Sequence, residues 1–144
     1  MKLKLTALLI LLFCVGCGKN VPLRGKVLDQ DGNPITIGMV NFSSEKGLSR
    51  AKIQSDGSYR VGTLKETDGL PPGIYKVYVS GAEVPIESPP SQGPQQLDSM
   101  GQPVKRPPAF RRLLATPYTT EATTPLTCEV PVKGNRYDVI VEKR

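Results

Sequence analysis

The chain has 144 residues, of which 38% are hydrophobic, and it carries 19 basic and 13 acidic residues but no histidine. Because histidine is the usual general base of serine and cysteine hydrolases and the commonest neutral metal ligand, its absence argues against both kinds of site. We therefore predict no catalytic residue, no metal and no cofactor. The small basic excess is not the signature of a nucleic-acid-binding protein, so no nucleic-acid partner is expected.

The first 16 residues are predicted to form a removable export signal. Lys2 and Lys4 give the segment a positively charged start, and an apolar run over 5–15 follows, ending before Gly16. This run has 11 residues, which is too few to cross a bilayer as a helix, since a crossing takes about 20. The segment therefore has the features of a cleaved signal rather than a permanent anchor.

The residues that end this segment, Val15-Gly16-Cys17-Gly18, resemble the lipobox of bacterial lipoproteins. The resemblance implies cleavage before Cys17 and acylation of the Cys17 thiol, which would hold the protein on the extracytoplasmic side of a membrane. Cys14 departs from the pattern, which usually has leucine there, and an ordinary signal peptide that ends near a cysteine is the alternative. Gly18, where an inner-membrane retention signal would have aspartate, favours the outer membrane or the cell surface.

The mature chain would hold 128 residues, which suits one domain, predicted over 23–144 after a short lipid-anchored tether over 17–22. Removal of the signal leaves 17 basic residues against 13 acidic ones. Cys14 would leave with the signal and Cys17 would carry lipid, so Cys128 has no disulfide partner. Its place in an alternating apolar stretch predicts a small buried side chain rather than a reactive thiol.

Seven short strands are predicted from the alternation of apolar and polar side chains. The clearest is 74–80, in which Tyr75, Val77 and Val79 would point inward. The turn at 55–58 contains an Asp-Gly pair, which is typical of tight hairpins. No stretch predicts an amphipathic helix, so the expected all-β fold is an antiparallel seven-stranded β-sandwich. The predicted strands are 23–28, 37–43, 48–54, 59–61, 74–80, 126–132 and 137–142.

A different kind of sequence, 85–108, separates the fifth predicted strand from the sixth and holds seven of the 14 prolines. Proline lacks the backbone N–H that a sheet requires, and this stretch has little apolar surface to bury. We therefore expect a long, mobile proline-rich loop that takes no part in a sheet.

Several short motifs follow one another along residues 21–80: Val21-Pro22-Leu23-Arg24-Gly25-Lys26-Val27, Asp31-Gly32-Asn33-Pro34-Ile35, Val40-Asn41-Phe42, Asp56-Gly57-Ser58-Tyr59 and Pro72-Gly73-Ile74-Tyr75-Lys76-Val77. Their order resembles the carboxypeptidase regulatory-like domain, a transthyretin-like β-sandwich with an Ig-like architecture. The late segments 124–126 and 134–137 resemble the closing strands of lipoprotein members of that family. The resemblance implies an accessory module without zinc ligands. Transthyretin-like hydroxyisourate hydrolases rely on histidines and a characteristic C-terminal tetrapeptide, and this chain has neither.

One candidate metal site is the acidic stretch after the first predicted strand. Asp29, Asp31 and Asn33 have the alternating oxygen spacing with which a calcium loop begins. Pro34 and Val40 stand where such a loop needs glycine and a bidentate glutamate. We therefore interpret the stretch as a structural turn, with a weak calcium contact as the alternative.

One candidate binding site is a group of four cations around Phe110, namely Lys105, Arg106, Arg111 and Arg112. Four positive charges beside an aromatic ring are suited to contact with an anionic polymer or with lipid headgroups. The alternative is an ordinary solvated loop, because charge runs this short are common on protein surfaces.

Together these features favour a membrane-anchored envelope lipoprotein that acts as a non-enzymatic binding or structural module. Its partners would be membrane lipid, through acylated Cys17, and an envelope protein or polysaccharide. The strands would hold the proline-rich loop away from the membrane. The alternative is an accessory hydrolase or transport-associated periplasmic protein that acts on an envelope substrate, which would need a cleft with converging carboxylates.

Overall fold

The computed structural model describes residues 19–62, 68–86, 97–104 and 108–144. In these ranges the chain is all-β, as predicted, with nine strands and two short 3₁₀ helices, Thr116–Thr119 and Lys133–Asn135. The sequence predicts seven strands, and the two additional ones flank the proline-rich segment. The strands are β1 (Leu23–Asp29), β2 (Met39–Ser44), β3 (Gly47–Lys52), β4 (Ser58–Val61), β5 (Gly73–Ser80), β6 (Glu83–Ile86), β7 (Ala109–Arg112), β8 (Thr127–Val130) and β9 (Val139–Val141).

The strands form a three-stranded sheet in the order β4-β1-β9, a four-stranded sheet in the order β3-β2-β5-β8, and a two-stranded ribbon of β6 and β7. β1 and β9 run parallel, with Val27 opposite Val139, whereas the other strand pairs are antiparallel. The prediction of a wholly antiparallel arrangement is therefore wrong for this pair. Parallel neighbours need a connection from one end of the sheet to the other. Here the chain between β1 and β9 makes that connection.

The inward side chains of the two larger sheets belong to one buried apolar cluster. Tyr75, Val77 and Val79 of β5 are buried, as the alternation of that strand predicts. Cys128 of β8 lies opposite Tyr75 and is also buried. Alternation places one apolar face of these strands in the cluster and leaves most of the other face to solvent, except on β2, where Asn41 and Ser43 are also buried.

The proline-rich segment does take part in a sheet at its edges, which corrects the prediction for 85–108. Pro85 lies in β6 opposite Phe110 of β7. A two-stranded ribbon tolerates proline because each strand has one edge without a hydrogen-bonded neighbour, where a missing N–H costs little. Leu97 and Pro103 form a further isolated antiparallel bridge. Residues 87–96 and 105–107 of this segment lie outside the described ranges.

The two closing strands are shorter than predicted. β8 ends at Val130 because Pro131 follows, and proline cannot donate to a neighbouring strand. β9 begins only at Val139. Before it, the chain is already hydrogen-bonded to β1, where the N–H of Tyr137 donates to the carbonyl of Arg24 at 2.9 Å.

The turn after β1 is organised by the buried carboxylate of Asp29, which is 3% exposed. Its Oδ1 accepts the backbone N–H groups of Asp31 and Asn33 at 3.0 and 2.7 Å, and Lys143 forms an ion pair with its Oδ2. These donors, above all Lys143, lower the pKa of Asp29 to about 2. The stretch is therefore a turn, as interpreted from the sequence, and the carboxylate of Asp29 closes it.

Acid unfolding should depend on this carboxylate. Because its folded-state pKa of about 2 lies below the ordinary 3.8, ionised Asp29 stabilises the fold fully above pH 3.8, and this contribution is lost as the pH falls through about 2. Lys143→Gln should raise the pKa of Asp29 and shift the acid-unfolding midpoint, followed by circular dichroism, to higher pH. Lys133→Gln removes the same charge from an exposed turn and should leave the midpoint in place. An equal shift in both variants would contradict the assignment.

Candidate functional site

The structure covers only part of the predicted site. Cys17, Lys105 and Arg106 lie outside the described ranges, whereas Arg111 and Arg112 lie on β7 and are exposed. The lipid attachment at Cys17 therefore stays a prediction. Of the four predicted cations, the structure describes only Arg111 and Arg112.

The two placed cations differ in their surroundings. Arg112 forms an ion pair with Glu83 across the ribbon, with Nε 3.4 Å from Oε1. Arg111 has no such partner within the described ranges, and both arginines line an open groove together with Ile86, Phe110 and Arg144. One of the two placed cations therefore already has a carboxylate partner.

Another group of cations lies across the outer face of the three-stranded sheet, and we call it the arginine row: Arg24 on β1, Arg60 on β4 and Arg136 just before β9. Arg24 is directly opposite Arg60 in the antiparallel β1–β4 pair and opposite Arg136 in an isolated parallel bridge. Strand alternation places Lys26 on the same face, opposite Ser58 of β4. The three arginines therefore occupy neighbouring positions in one line across the sheet.

Arg136 has a carboxylate partner in Asp138. Its Nε donates to both oxygens of Asp138 at 3.1 Å, and its Nη2 lies 2.9 Å from Oδ2. Asp138 also accepts the backbone N–H of Lys26 at 2.8 Å. Burial by itself would raise the pKa of Asp138, but these donors outweigh it and the pKa lies below its usual value. The same contact raises the pKa of Arg136, so this arginine stays protonated. Its position is fixed and its charge is balanced by the Asp138 carboxylate.

Arg24 and Arg60 have no carboxylate partner within the described ranges, and both are exposed. Directly opposed residues of an antiparallel pair have Cβ atoms about 4.5–5.5 Å apart, so the two like charges repel and weaken the pairing. Opposite charges at these positions would stabilise the sheet instead. An anion bound between the two guanidinium groups would remove the repulsion.

A shallow groove of about 290 Å³ lies beside the row. It is lined by Arg24, Arg60, Pro22, Gly134 and Asn135, together with the neighbouring β1 and β4 residues. Guanidinium groups bind phosphate and carboxylate through paired, charge-assisted hydrogen bonds. The groove is therefore suited to one anionic group of small size.

Neither the acidic side chains nor the thiol of the described ranges forms a further candidate site. Across the described ranges, no three Cys, Asp or Glu side chains converge as metal ligands would. Burial raises the pKa of the Cys128 thiol to about 11, so the thiol stays protonated at neutral pH, in line with its predicted role as a small buried side chain. Among the residues that the structure places, no helix is long and apolar enough to cross a membrane.

The arginine row is not evident from the sequence. Arg24 and Arg60 each occupy an outward position of an alternating strand, where single cations are common on any soluble protein. To find the row one would need the register of β1 against β4. The sequence does not specify this register, because β2 and β3 lie between the two strands in the chain. Their opposition exists only once that pairing is known. Comparisons with protein-family models, curated proteins and solved structures found no match to the chain.

Proposed function

We propose that the protein is an exported lipoprotein, held on the extracytoplasmic side of a membrane by acyl chains on Cys17, and that its β domain is a non-enzymatic binding module. The observation that carries the proposal is the arginine row, in which Arg24 and Arg60 face each other and neither is paired with a carboxylate of the described residues. The module binds an anionic group of the cell envelope in the groove at this row.

The fold proposed for this module is a transthyretin-like sandwich of the carboxypeptidase regulatory-like kind. In support, the two larger sheets share one buried cluster, and β1 to β5 follow the order of the motifs along residues 21–80. The ribbon and the parallel position of β9 are additions to that pattern. The proposed location is the outer membrane or the cell surface, because Gly18 follows the acylated cysteine.

Binding rather than catalysis suits the position of the row. Arg24 and Arg60 lie on an open sheet face, where a bound group stays in contact with water. Catalytic sites gain from excluding water, because electrostatic interactions strengthen in a dry environment. Exposed charge-assisted contacts are individually weak, so affinity here would come from several contacts to one ligand and would be reversible.

The row is tested by its affinity for a polyanion. The acylated full-length protein in a nonionic detergent should bind a dextran sulfate resin. Arg24→Gln/Arg60→Gln should weaken this binding about tenfold, a factor that corresponds to about 1.4 kcal/mol, because two charge-assisted contacts are lost. The measurement is the dissociation constant from frontal chromatography at fixed ionic strength.

Lys52→Gln/Lys76→Gln is the matched control for this experiment. It removes the same charge from exposed positions on β3 and β5, away from the row. Because only the general field of the protein changes, affinity should fall by less than about twofold. An equal loss in the two double variants would show that the resin senses net charge alone, and the row would not be a binding site.

The anchor is tested by labelling in cells with palmitate. Cys17→Ala should abolish the label, because no thiol follows Gly16 to accept the acyl chains. Cys14→Ala and Cys128→Ala should keep it, since Cys14 follows the bulky Phe13 and leaves with the signal, and Cys128 is buried in the folded domain. Label that survives Cys17→Ala, or is lost in either control, would contradict the proposed anchor.

A further inference from the structure

We infer that the anionic group bound by the arginine row is the headgroup of an acidic phospholipid in the membrane that holds the anchor. The inference rests on the proposed acylation of Cys17 and names the ligand of the proposed site. The domain would then lie against the membrane surface through Arg24 and Arg60, instead of moving freely at the end of its tether.

The first support is the short chain between the anchor and the row. Val21 is fixed to Leu70 by two backbone hydrogen bonds of 2.7 and 2.9 Å, and Pro22 already lines the groove. Cys17 precedes Val21 by only four residues, which span at most about 14 Å when fully extended. An acylated Cys17 therefore keeps this end of the domain beside the headgroups, whatever path those residues take.

The second support is the position of the row along β1. Arg24 is the second residue of β1, and Asp29, at the other end of the strand, lies about 20 Å from its start. At that far end Lys143 binds Asp29, and the N–H of Arg144 donates to the carbonyl of Leu113, just after the ribbon. The ribbon and its cations therefore join the sheet at the end opposite the tether, and the arginine row is the cationic site that faces the membrane.

The charges at the tether end also favour an anionic surface. The other charged side chains near this end of the described structure are of both signs, so their net charge is small: Lys19, Lys46, Arg50 and Lys133 against Glu45, Asp68 and Glu129. Arg136 is neutralised by Asp138. Arg24 and Arg60, with Lys26 on the same sheet face, therefore supply most of the excess positive charge, and cations are stabilised near an acidic leaflet. A phosphodiester offers two oxygens, which suits two adjacent guanidinium groups.

The tether length distinguishes a lipid from a larger polymer. A polysaccharide or an acidic peptide would have to enter the gap between the domain and the membrane. With Val21 held within about 14 Å of the acylated residue, that gap is narrow for a hydrated polymer. A phospholipid headgroup is already there, so it binds the row without crossing any distance.

The inference is tested by chemical modification of the arginines. The acylated full-length protein is placed in bilayer nanodiscs of phosphatidylglycerol or of phosphatidylcholine, or in nonionic detergent micelles, and treated with phenylglyoxal. Peptide mass spectrometry then gives the modification rate of each arginine. In phosphatidylglycerol, Arg24 and Arg60 should react about fivefold more slowly than in micelles, the factor that corresponds to about 1 kcal/mol per cation. Arg111, on the ribbon, is the internal control and should keep its rate.

Two further arms separate attraction to charge from simple proximity. Phosphatidylcholine discs should give no such protection, because their surface carries no net charge. Salt at about 1 M should remove the protection in phosphatidylglycerol, because it shortens the Debye length to about 3 Å. Equal protection in the two lipids, protection that persists in high salt, or equal slowing of Arg111 would overturn the inference.

Failure of the inference is distinguishable from failure of the proposed function. If phosphatidylglycerol leaves Arg24 and Arg60 unprotected while soluble dextran sulfate protects them in micelles, the row is an anion site for another ligand and only the lipid assignment is lost. Protection by neither probe overturns both proposals for the row. Palmitate labelling of Cys17 reports separately on the anchor.

Discussion

Gly25→Ala should unfold the protein or lower its free energy of unfolding by at least about 4 kcal/mol. Gly25 lies in β1 opposite Tyr59, and the carbonyl of Tyr137 packs directly on it. A Cβ atom at this position would lie 1.8 Å from that oxygen and 2.9 Å from the Tyr59 hydroxyl. Both neighbours are fixed, because the Tyr59 hydroxyl donates a hydrogen bond to the Tyr137 carbonyl. A rotamer change therefore cannot relieve the clash, and the backbone of β1 must move.

The measurement is urea unfolding followed by circular dichroism, since the chain has no tryptophan to report by fluorescence. Gly32→Asn is the matched control, because Gly32 lies at a turn with φ of 84° and open space around it. Asparagine tolerates that left-handed conformation, so this variant should stay within about 0.5 kcal/mol of the wild type. A Gly25→Ala protein as stable as the control would show that the Tyr137 carbonyl does not pack on β1.

The contact at Gly25 also connects the fold to the arginine row. Tyr137 follows Arg136, and its N–H donates to the carbonyl of Arg24 at 2.9 Å. A side chain at position 25 would push this segment away and separate Arg136 from Arg24. The close approach that only glycine permits therefore sets the spacing of two of the three arginines.

Phe42→Ala should lower the free energy of unfolding by about 3–5 kcal/mol. Phe42 is fully buried on β2, at the centre of an aromatic group. Its ring centroid lies 6.0, 6.4 and 6.5 Å from those of Tyr59, Tyr75 and Tyr137, which come from both larger sheets and the segment before β9. Removing the ring loses its transfer free energy and leaves a cavity that these neighbours, held by their own hydrogen bonds, fill only partly.

Phe110→Ala is the matched control for this variant, since it makes the same chemical change on the ribbon, where Phe110 is 55% exposed. It should alter the free energy of unfolding by less than about 0.5 kcal/mol. Phe42→Leu, which keeps most of the volume, should cost less than about 1.5 kcal/mol. Urea midpoints at a constant slope measure all three variants. Similar costs for Phe42→Ala and Phe110→Ala would contradict the assignment of Phe42 to the centre of the core.

The sequence by itself determined the all-β class and most of the first five strands. Tyr75, Val77 and Val79 are buried as their two-residue period predicts, and Asp56 closes the 55–58 turn by accepting the N–H of Ser58 at 2.9 Å. These features are local, because alternation and turn chemistry depend on neighbouring residues and on burial of one strand face. The buried, unreactive state of Cys128 follows from the same pattern.

Only the tertiary structure decided which strands became neighbours. The parallel position of β9 beside β1, the ribbon that includes Pro85, and the opposition of Arg24 to Arg60 all depend on pairings between segments that are distant in the chain. Alternation predicts which way a side chain points, but it does not predict which strand lies beside it. Strand pairing and register are set by the packing of the whole core. The candidate site is a property of that register, so single outward arginines became a site only when the sheet assembled.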